Sequence, residues 1–171
     1  MTYSGPVPLG PEHLTESFSC ASAEQTDWLR NHARQSASTG TTKVFVVTEE
    51  GSPRVVAYFA WSMAQLAMAD APARLTKGAG RYPQPVALLA RLGVDVDHQG
   101  RGLGAALLVD VITRVASLSE DIGCRGLLVH AESQEAHSFY VHLVPEFEPS
   151  PTDDLHLVLM LKDIKRTLRG S

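Results

Sequence analysis

The chain has 171 residues, of which 44% are hydrophobic and 20% charged, with a formal net charge of −4. That length and make-up suit one globular domain, residues 1–171, with a substantial core, and the negative balance excludes a uniformly basic nucleic-acid binder. No apolar run is long enough for a bilayer, and residues 1–14 lack a basic segment followed by an apolar one, so the expectation is a cytoplasmic protein without a membrane anchor. The two cysteines, Cys20 and Cys124, lie far apart without metal-ligand spacing. They are expected as free thiols, with a disulfide the lesser alternative and no metal site.

The charge is unevenly spread. No acid occurs between Asp70 and Asp95, an interval that holds Arg74, Lys77, Arg81 and Arg91, and none between Asp27 and Glu49, which holds Arg30, Arg34 and Lys43. Either interval alone is an ordinary solvated surface; two of them flanking a ligand site make a local anion-binding face.

In chain order, residues 1–11, rich in glycine and proline, read as an irregular or strand-like arm. Ser22 and Gln25 have the spacing of a capping box, and Trp28, Leu29 and Ala33 predict a helix over residues 23–36. The β-branched and aromatic run 44–48, the turn 50–53 and the run 55–64 predict a hairpin. Residues 69–85, with three prolines among small and basic residues, read as a long and therefore functional loop. The run 86–96, nearly all apolar and interrupted by Arg91, predicts a strand in the middle of a sheet.

Next comes His98-Gln99-Gly100-Arg101-Gly102-Leu103-Gly104-Ala105, followed by Leu107, Val111, Val115 and Leu118 at helical spacing, which predicts a helix over residues 101–119. Glycines at a strand-to-helix junction let the backbone approach a ligand, and the first-turn N–H groups carry partial positive charge without partners in the helix. The stretch reads as a pyrophosphate seat. A P-loop would need Lys followed by Ser or Thr where Ala105-Ala106 stands, and a dinucleotide fingerprint would need G-x-G-x-x-G, so both of those readings are weak. A glycine-rich turn without a ligand is the plain alternative.

Beyond the loop, residues 126–130 predict a strand, Ser133 caps a short helix carrying Ala136, Phe139 and Tyr140, and the prolines at 145, 149 and 151 interrupt any helix. Residues 155–161 alternate as a last strand and 162–169 form a basic helical tail. Strands on either side of a loop and helix give an α/β or α+β sandwich.

The spacing Q-x-x-G-x-G, with Gln99, Gly102 and Gly104, resembles the coenzyme A loop of the GNAT acetyltransferases. Pro72-Ala73-Arg74-Leu75, Leu89-Ala90-Arg91-Leu92-Gly93-Val94-Asp95, Leu128-Val129-His130-Ala131, Phe139-Tyr140 and Phe147-Glu148-Pro149-Ser150-Pro151-Thr152-Asp153 resemble more narrowly the GNAT toxins of type II toxin-antitoxin systems, which acetylate the amino acid carried on tRNA. The likeness covers roughly residues 18–162. One departure is visible, because the family has Phe-Gly-Phe soon after its tyrosine and this chain has the longer, glycine-free Leu143-Val144-Pro145-Glu146-Phe147.

The resemblance implies a GNAT fold: a central mixed, mostly antiparallel sheet splayed at the cofactor strand, with helices on both faces. It implies acetyl-CoA as co-substrate, with the backbone of Leu92, Gly93 and Val94 on the pantetheine and Gln99, Gly100, Arg101, Gly102, Leu103, Gly104 and Ala105 on the pyrophosphate. Tyr140 matches the position of the acid that protonates the departing thiolate, and the Val94 N–H is the candidate oxyanion donor. The alternative for Tyr140 is core packing beside Phe139. Arg30, Arg34, Arg74, Lys77, Arg81 and Arg91 become candidates for tRNA phosphates, with Arg91 alternatively structural beneath the cofactor strand. The implied partners are charged tRNA, an antitoxin with a ribbon-helix-helix DNA-binding end, operator DNA reached only as the toxin-antitoxin complex, and a second copy in a homodimer.

No general base is evident. An α-amino group has an ordinary pKa of about 7.7 to 8.0, lowered further by an adjacent ester, so water suffices as proton acceptor. His130 is read as structural before catalytic, and Cys124 as a small core residue before an acyl carrier. The leading function is acetylation of the α-amine of charged tRNA, which blocks translation. The alternatives are an acetyltransferase for a small amine or protein lysine, and a catalytically idle coenzyme A module that pairs with another protein.

Overall fold

The computed structural model describes residues 2–78 and 80–169. Strands β1 (Tyr3–Pro8), β2 (Lys43–Glu49), β3 (Val55–Leu66), β4 (Gln84–Val94), β5 (Gly126–His130), β6 (Glu148–Ser150) and β7 (Asp153–Met160) form one sheet in the order β1-β2-β3-β4-β5-β7-β6. The helices are α1 (Ala23–Asn31), α2 (Ala33–Ser38), α3 (Ala73–Thr76), α4 (Leu103–Leu118), α5 (Gln134–Leu143) and α6 (Leu161–Arg169). The pairs β1–β2, β2–β3, β5–β7 and β6–β7 are antiparallel and β4–β5 is parallel, so the expected mixed, mostly antiparallel sheet is present. Among the described residues no helix is long and apolar enough to cross a membrane.

Two compact units are distinguished, one of residues 1–62 with 90–108 and the other of 63–89 with 109–171. In the first, Phe18, Leu29, Ala33, Val44, Val46, Val55, Tyr58 and Ala60 form the core. Tyr58 is its hub: Phe18 meets its ring edge-on at 5.5 Å, Trp28 stacks on it at 6.1 Å, and its buried hydroxyl donates to the Gln25 carbonyl at 2.8 Å. Burying side chains of this size stabilises the fold by roughly 1.5–3 kcal/mol each. In the second unit Leu66, Ala71, Leu75, Val86, Leu128, Val158 and Met160 pack together. The β4–β5 register there runs over Ala87↔Leu127, Leu88↔Leu128 and Leu89↔Val129, while β4 itself continues to Val94.

Three expectations are corrected. The helix predicted over 23–36 is two helices, because His32 leaves helical geometry at φ −128° before α2 begins. Apolar spacing does not distinguish one helix from two in succession, and Arg34 of α2 donates to the carbonyls of Gly10 and His13 at 2.8 and 2.6 Å. The loop predicted over 69–85 contains a 3-10 turn (Met68–Asp70), α3 and the start of β4; Pro72 opens α3, and Leu75, fully buried, anchors it. The strand predicted over 86–96 ends at Val94, where Asp95 turns the chain into a 3-10 helix (Val96–His98).

Candidate active site

The junction between β4 and α4 is held by two buried polar residues. Asp95, 1% exposed, accepts the Ser19 N–H on Oδ2 at 3.1 Å and the Asp97 N–H on Oδ1 at 3.0 Å, while its own N–H donates to Val56 at 2.8 Å. The carboxylate thus caps the 3-10 turn and clamps the segment after Phe18. His98, 4% exposed, has Nδ1 2.9 Å from the Tyr3 hydroxyl and Nε2 3.1 Å from Oε1 of Glu49. With its proton on Nε2 the ring donates to Glu49 and accepts from Tyr3. The far end of the turn is therefore tied to β1 and β2.

From that anchor Gln99 runs extended and exposed, and Gly100 and Gly102 adopt φ of 76° and 79°. Both glycines occupy the left-handed region that side chains with a Cβ disfavour, and a Cβ at either would meet nothing of the protein within 4 Å. The Gly102 carbonyl accepts the Ala106 N–H at 3.0 Å, which starts α4. The N–H groups of Leu103, Gly104 and Ala105 have no carbonyl one turn earlier in this 16-residue helix to donate to. Donors converging at the positive end of a helix dipole, beside backbone free of side chains, fit a pyrophosphate. Leu103, Leu107 and Leu108 are buried and hold the helix start.

The end of β4 carries the other cofactor candidates. Gly93 is buried, and a Cβ there would lie 3.3 Å from the Tyr58 ring and 3.4 Å from Cys20 Sγ, so this position is glycine because the strand presses on the core. The Leu92 N–H donates to Oε1 of Gln25 at 3.2 Å. The Gln25 side chain thus serves β4 in addition to the Tyr58 hydroxyl at 3.4 Å, while the Gln25 N–H is capped by Ser22 Oγ. Sequence spacing pointed to the cap; it carried no signal for the Leu92 contact, nor for the clamps of Asp95 and His98.

In the second unit Ser133 Oγ accepts the Ala136 N–H at 3.1 Å and starts α5, which carries Tyr140. Tyr140 is 5% exposed, with Phe139 and Phe147 edge-on at 5.2 and 6.0 Å. Burial, and then the negative charge of Glu132, push its phenol well above the ordinary range, so it holds its proton throughout the neutral range. Phe147 packs on Tyr140 without the glycine that the family pattern places there. His130 stacks on His156 at 3.9 Å, its register partner across β5 and β7. Burial and the His156 charge lower the pKa of His130, against a smaller opposing effect of Asp153. Cys20 and Cys124 are free thiols; Cys124 lies just before β5, buried, and donates to the Gly126 carbonyl at 3.4 Å.

The six basic candidates divide by what they touch. Arg30 donates to the Phe18 carbonyl at 2.8 Å, Arg34 to the two carbonyls above, and Arg91 pairs with Glu24 at 2.9 Å while its guanidinium lies 4.9 Å from the Trp28 ring centroid. Arg74 pairs with Glu148 at 2.8 Å and Asp163 at 3.1 Å, and Glu148 first and Asp163 next raise its pKa. Lys77 and Arg81 are exposed, and neither makes an ion pair among the described residues.

Residues 11–143 match the acetyltransferase (GNAT) family. The chain belongs to that family. This GNAT protein is therefore an N-acetyltransferase with acetyl-CoA as co-substrate. It is 42% identical, over 95% of each chain, to a tRNA-acetylating toxin of Mycobacterium tuberculosis (strain ATCC 25618 / H37Rv). Its fold matches that of AtaT complexed with acetyl-methionyl-tRNAfMet, with a TM-score of 0.85 at 22% identity over 98% of each chain. It also matches a tyrosine-to-phenylalanine AtaT mutant toxin bound to the C-terminus of the antitoxin AtaR, with a TM-score of 0.79 at 22% identity over 97% of this chain and 96% of that one.

Proposed function

We propose that this GNAT enzyme is a toxin that acetylates the α-amino group of aminoacyl-tRNA and so stops translation, acting in the cytoplasm as one acetyltransferase domain under the control of a cognate antitoxin. The observation that carries this reading is the 42% identity, along 95% of each chain, to a protein named for acetylating tRNA.

In this reading the N–H groups of residues 99–105 hold the pyrophosphate and the end of β4 holds the pantetheine, Leu92 through its carbonyl because Gln25 occupies its N–H. The Val94 N–H donates to the thioester oxygen. The amine nitrogen forms its bond to the acetyl carbon as the carbon–sulfur bond breaks. Tyr140 supplies the leaving thiolate with a proton: its buried phenol is protonated throughout the neutral range, and because burial also makes it a weaker acid than a solvated tyrosine, the transfer is coupled to the charge that develops on sulfur as the carbon–sulfur bond breaks. Water takes the amine proton. The product nitrogen is an amide, no longer a nucleophile for peptide-bond formation.

The antitoxin is proposed to carry a ribbon-helix-helix DNA-binding end, to bring a homodimer of the toxin to operator DNA, and to neutralise it by covering the basic surface or folding into the acetyl-CoA groove. The AtaT–AtaR complex supports the general form of that partnership.

The test is purified protein with acetyl-CoA and mixed charged tRNA, followed by ribonuclease digestion and mass spectrometry. N-acetyl-aminoacyl-adenosine is expected. Acetyl-CoA turnover with a small amine or protein lysine but none with charged tRNA would return the enzyme to the small-amine or protein-lysine reading.

A further inference from the structure

Tyr82 has 79% of its surface exposed, more than any other large hydrophobic side chain that is exposed among the described residues, and it is the only aromatic in that group. Nothing in the folding of the chain rewards an aromatic ring held in water. Its backbone is nevertheless held firmly. The Tyr82 carbonyl accepts from Nε2 of Gln84 at 2.8 Å, Gln84 is itself 7% exposed, and its Oε1 accepts from Arg125 at 2.5 Å. Arg125 reaches on to the Leu75 carbonyl at 3.3 Å. Pro83 follows, which restricts Tyr82 to extended conformations. A partly buried polar relay from Arg125, just before β5, thus supports a ring that touches water.

The rest of the loop matches it. Lys77 and Arg81 lie in the same loop and make no ion pair among the described residues, and no acid occurs from residue 71 to residue 94. Arg74, the remaining cation of this stretch outside β4, is neutralised by Glu148 and Asp163. An aromatic face in a loop that also carries unneutralised cations is a combination that holds single-stranded nucleic acid, with the base stacked on the ring and the phosphates met by the cations.

We propose that Tyr82 is a stacking platform for an unpaired base of the RNA substrate, with Arg81 and Lys77 on the adjoining phosphates. This rests on charged tRNA as the substrate, whose amino acid sits on an unpaired 3′ end, and it assigns Tyr82 to substrate binding and not to the chemistry.

The test compares wild type with Tyr82→Ala, Tyr82→Phe and Tyr82→Trp. In steady-state acetylation, Tyr82→Ala is expected to raise KM for charged tRNA by about tenfold with kcat little changed, while Phe and Trp, which keep a π face, stay near wild type. The KM for acetyl-CoA should not move. In fluorescence anisotropy with labelled, uncharged tRNA, the same loss of affinity is expected in Tyr82→Ala, and it should vanish when the unpaired 3′ nucleotides are trimmed from the RNA. If wild type acetylates charged tRNA and Tyr82→Ala has an unchanged KM, the platform is wrong while the substrate stands. If wild type neither acetylates charged tRNA nor binds tRNA, both fall. An equal loss on trimmed and full-length tRNA would place Tyr82 against paired RNA and overturn the assignment to an unpaired base.

Discussion

Arg74 and Asp163 form an ion pair of 3.1 Å in which the carboxylate side chain is only 2% exposed. The arginine that the charge pattern marked for RNA is thereby committed to a buried acid on α6. Removing it leaves Asp163, among the described residues, with Arg166 at 3.6 Å as its remaining ion-pair partner. A buried carboxylate stripped of its main partner is destabilising. Arg74→Ala should therefore lower the melting temperature by several degrees. Lys77→Ala and Arg81→Ala should leave melting unchanged and raise the tRNA KM, each reducing the slope of log affinity against log salt by about 0.7 to 0.9. Calorimetric melting and KM measured over a salt series check both halves; a stable Arg74→Ala with a flattened salt slope would return Arg74 to the RNA surface.

Gly102→Val tests the pyrophosphate seat. At φ 79° a residue with a Cβ costs about 1–2 kcal/mol, and the open space beside it means no steric clash adds to that. The protein should stay folded, with a modestly lower melting temperature, while acetyl-CoA affinity falls below detection by titration calorimetry. Unchanged affinity in both Gly102→Val and Gly100→Val would remove the loop from the cofactor site.

Tyr140→Phe preserves the ring and its contacts with Phe139 and Phe147 and removes the proton. Acetyl-CoA should bind as before, and turnover should fall by roughly 100-fold or more. Growth arrest on expression without the antitoxin should be relieved in parallel. Near wild-type turnover would make Tyr140 a packing residue.

The same substitution has an alkaline signature. Burial raises the Tyr140 pKa in the folded state, so the native protein keeps this proton after the unfolded chain has lost it near pH 10. The contribution to stability is complete below about pH 10 and is lost as pH rises beyond it. Chemical denaturation between pH 9 and roughly 11 should show a shallower decline in Tyr140→Phe than in wild type. Identical declines would mean that the phenol is solvated in the native state.

His130 gives the opposite limb. Its pKa is lowered, by burial first and by His156 next, so the unfolded chain binds the proton more readily than the native one. Its contribution is present above about pH 6.5 and is lost as pH falls below it. His130→Phe retains a ring against His156 and should flatten the loss of stability on the acid side. An unaltered acid limb would assign that limb to other groups.

What the order of residues determines alone is short in range. Apolar recurrence every three or four positions places α4, alternation places β7, Ser133 places the start of α5, and the glycines between Gln99 and Leu103 place a left-handed turn before a helix. Each rests on atoms a few residues apart, so a local pattern suffices. The tertiary structure decided the partners. Arg74 finds its two acids 74 and 89 residues away, His98 finds Tyr3 at a separation of 95, and Gln25 reaches Leu92 across 67. A basic residue committed to a distant carboxylate has the same local sequence as one left for a phosphate, and a glutamine at capping-box spacing the same as one that braces a strand instead. Only chain folding, by choosing which groups leave water together, separates Arg74 from Arg81.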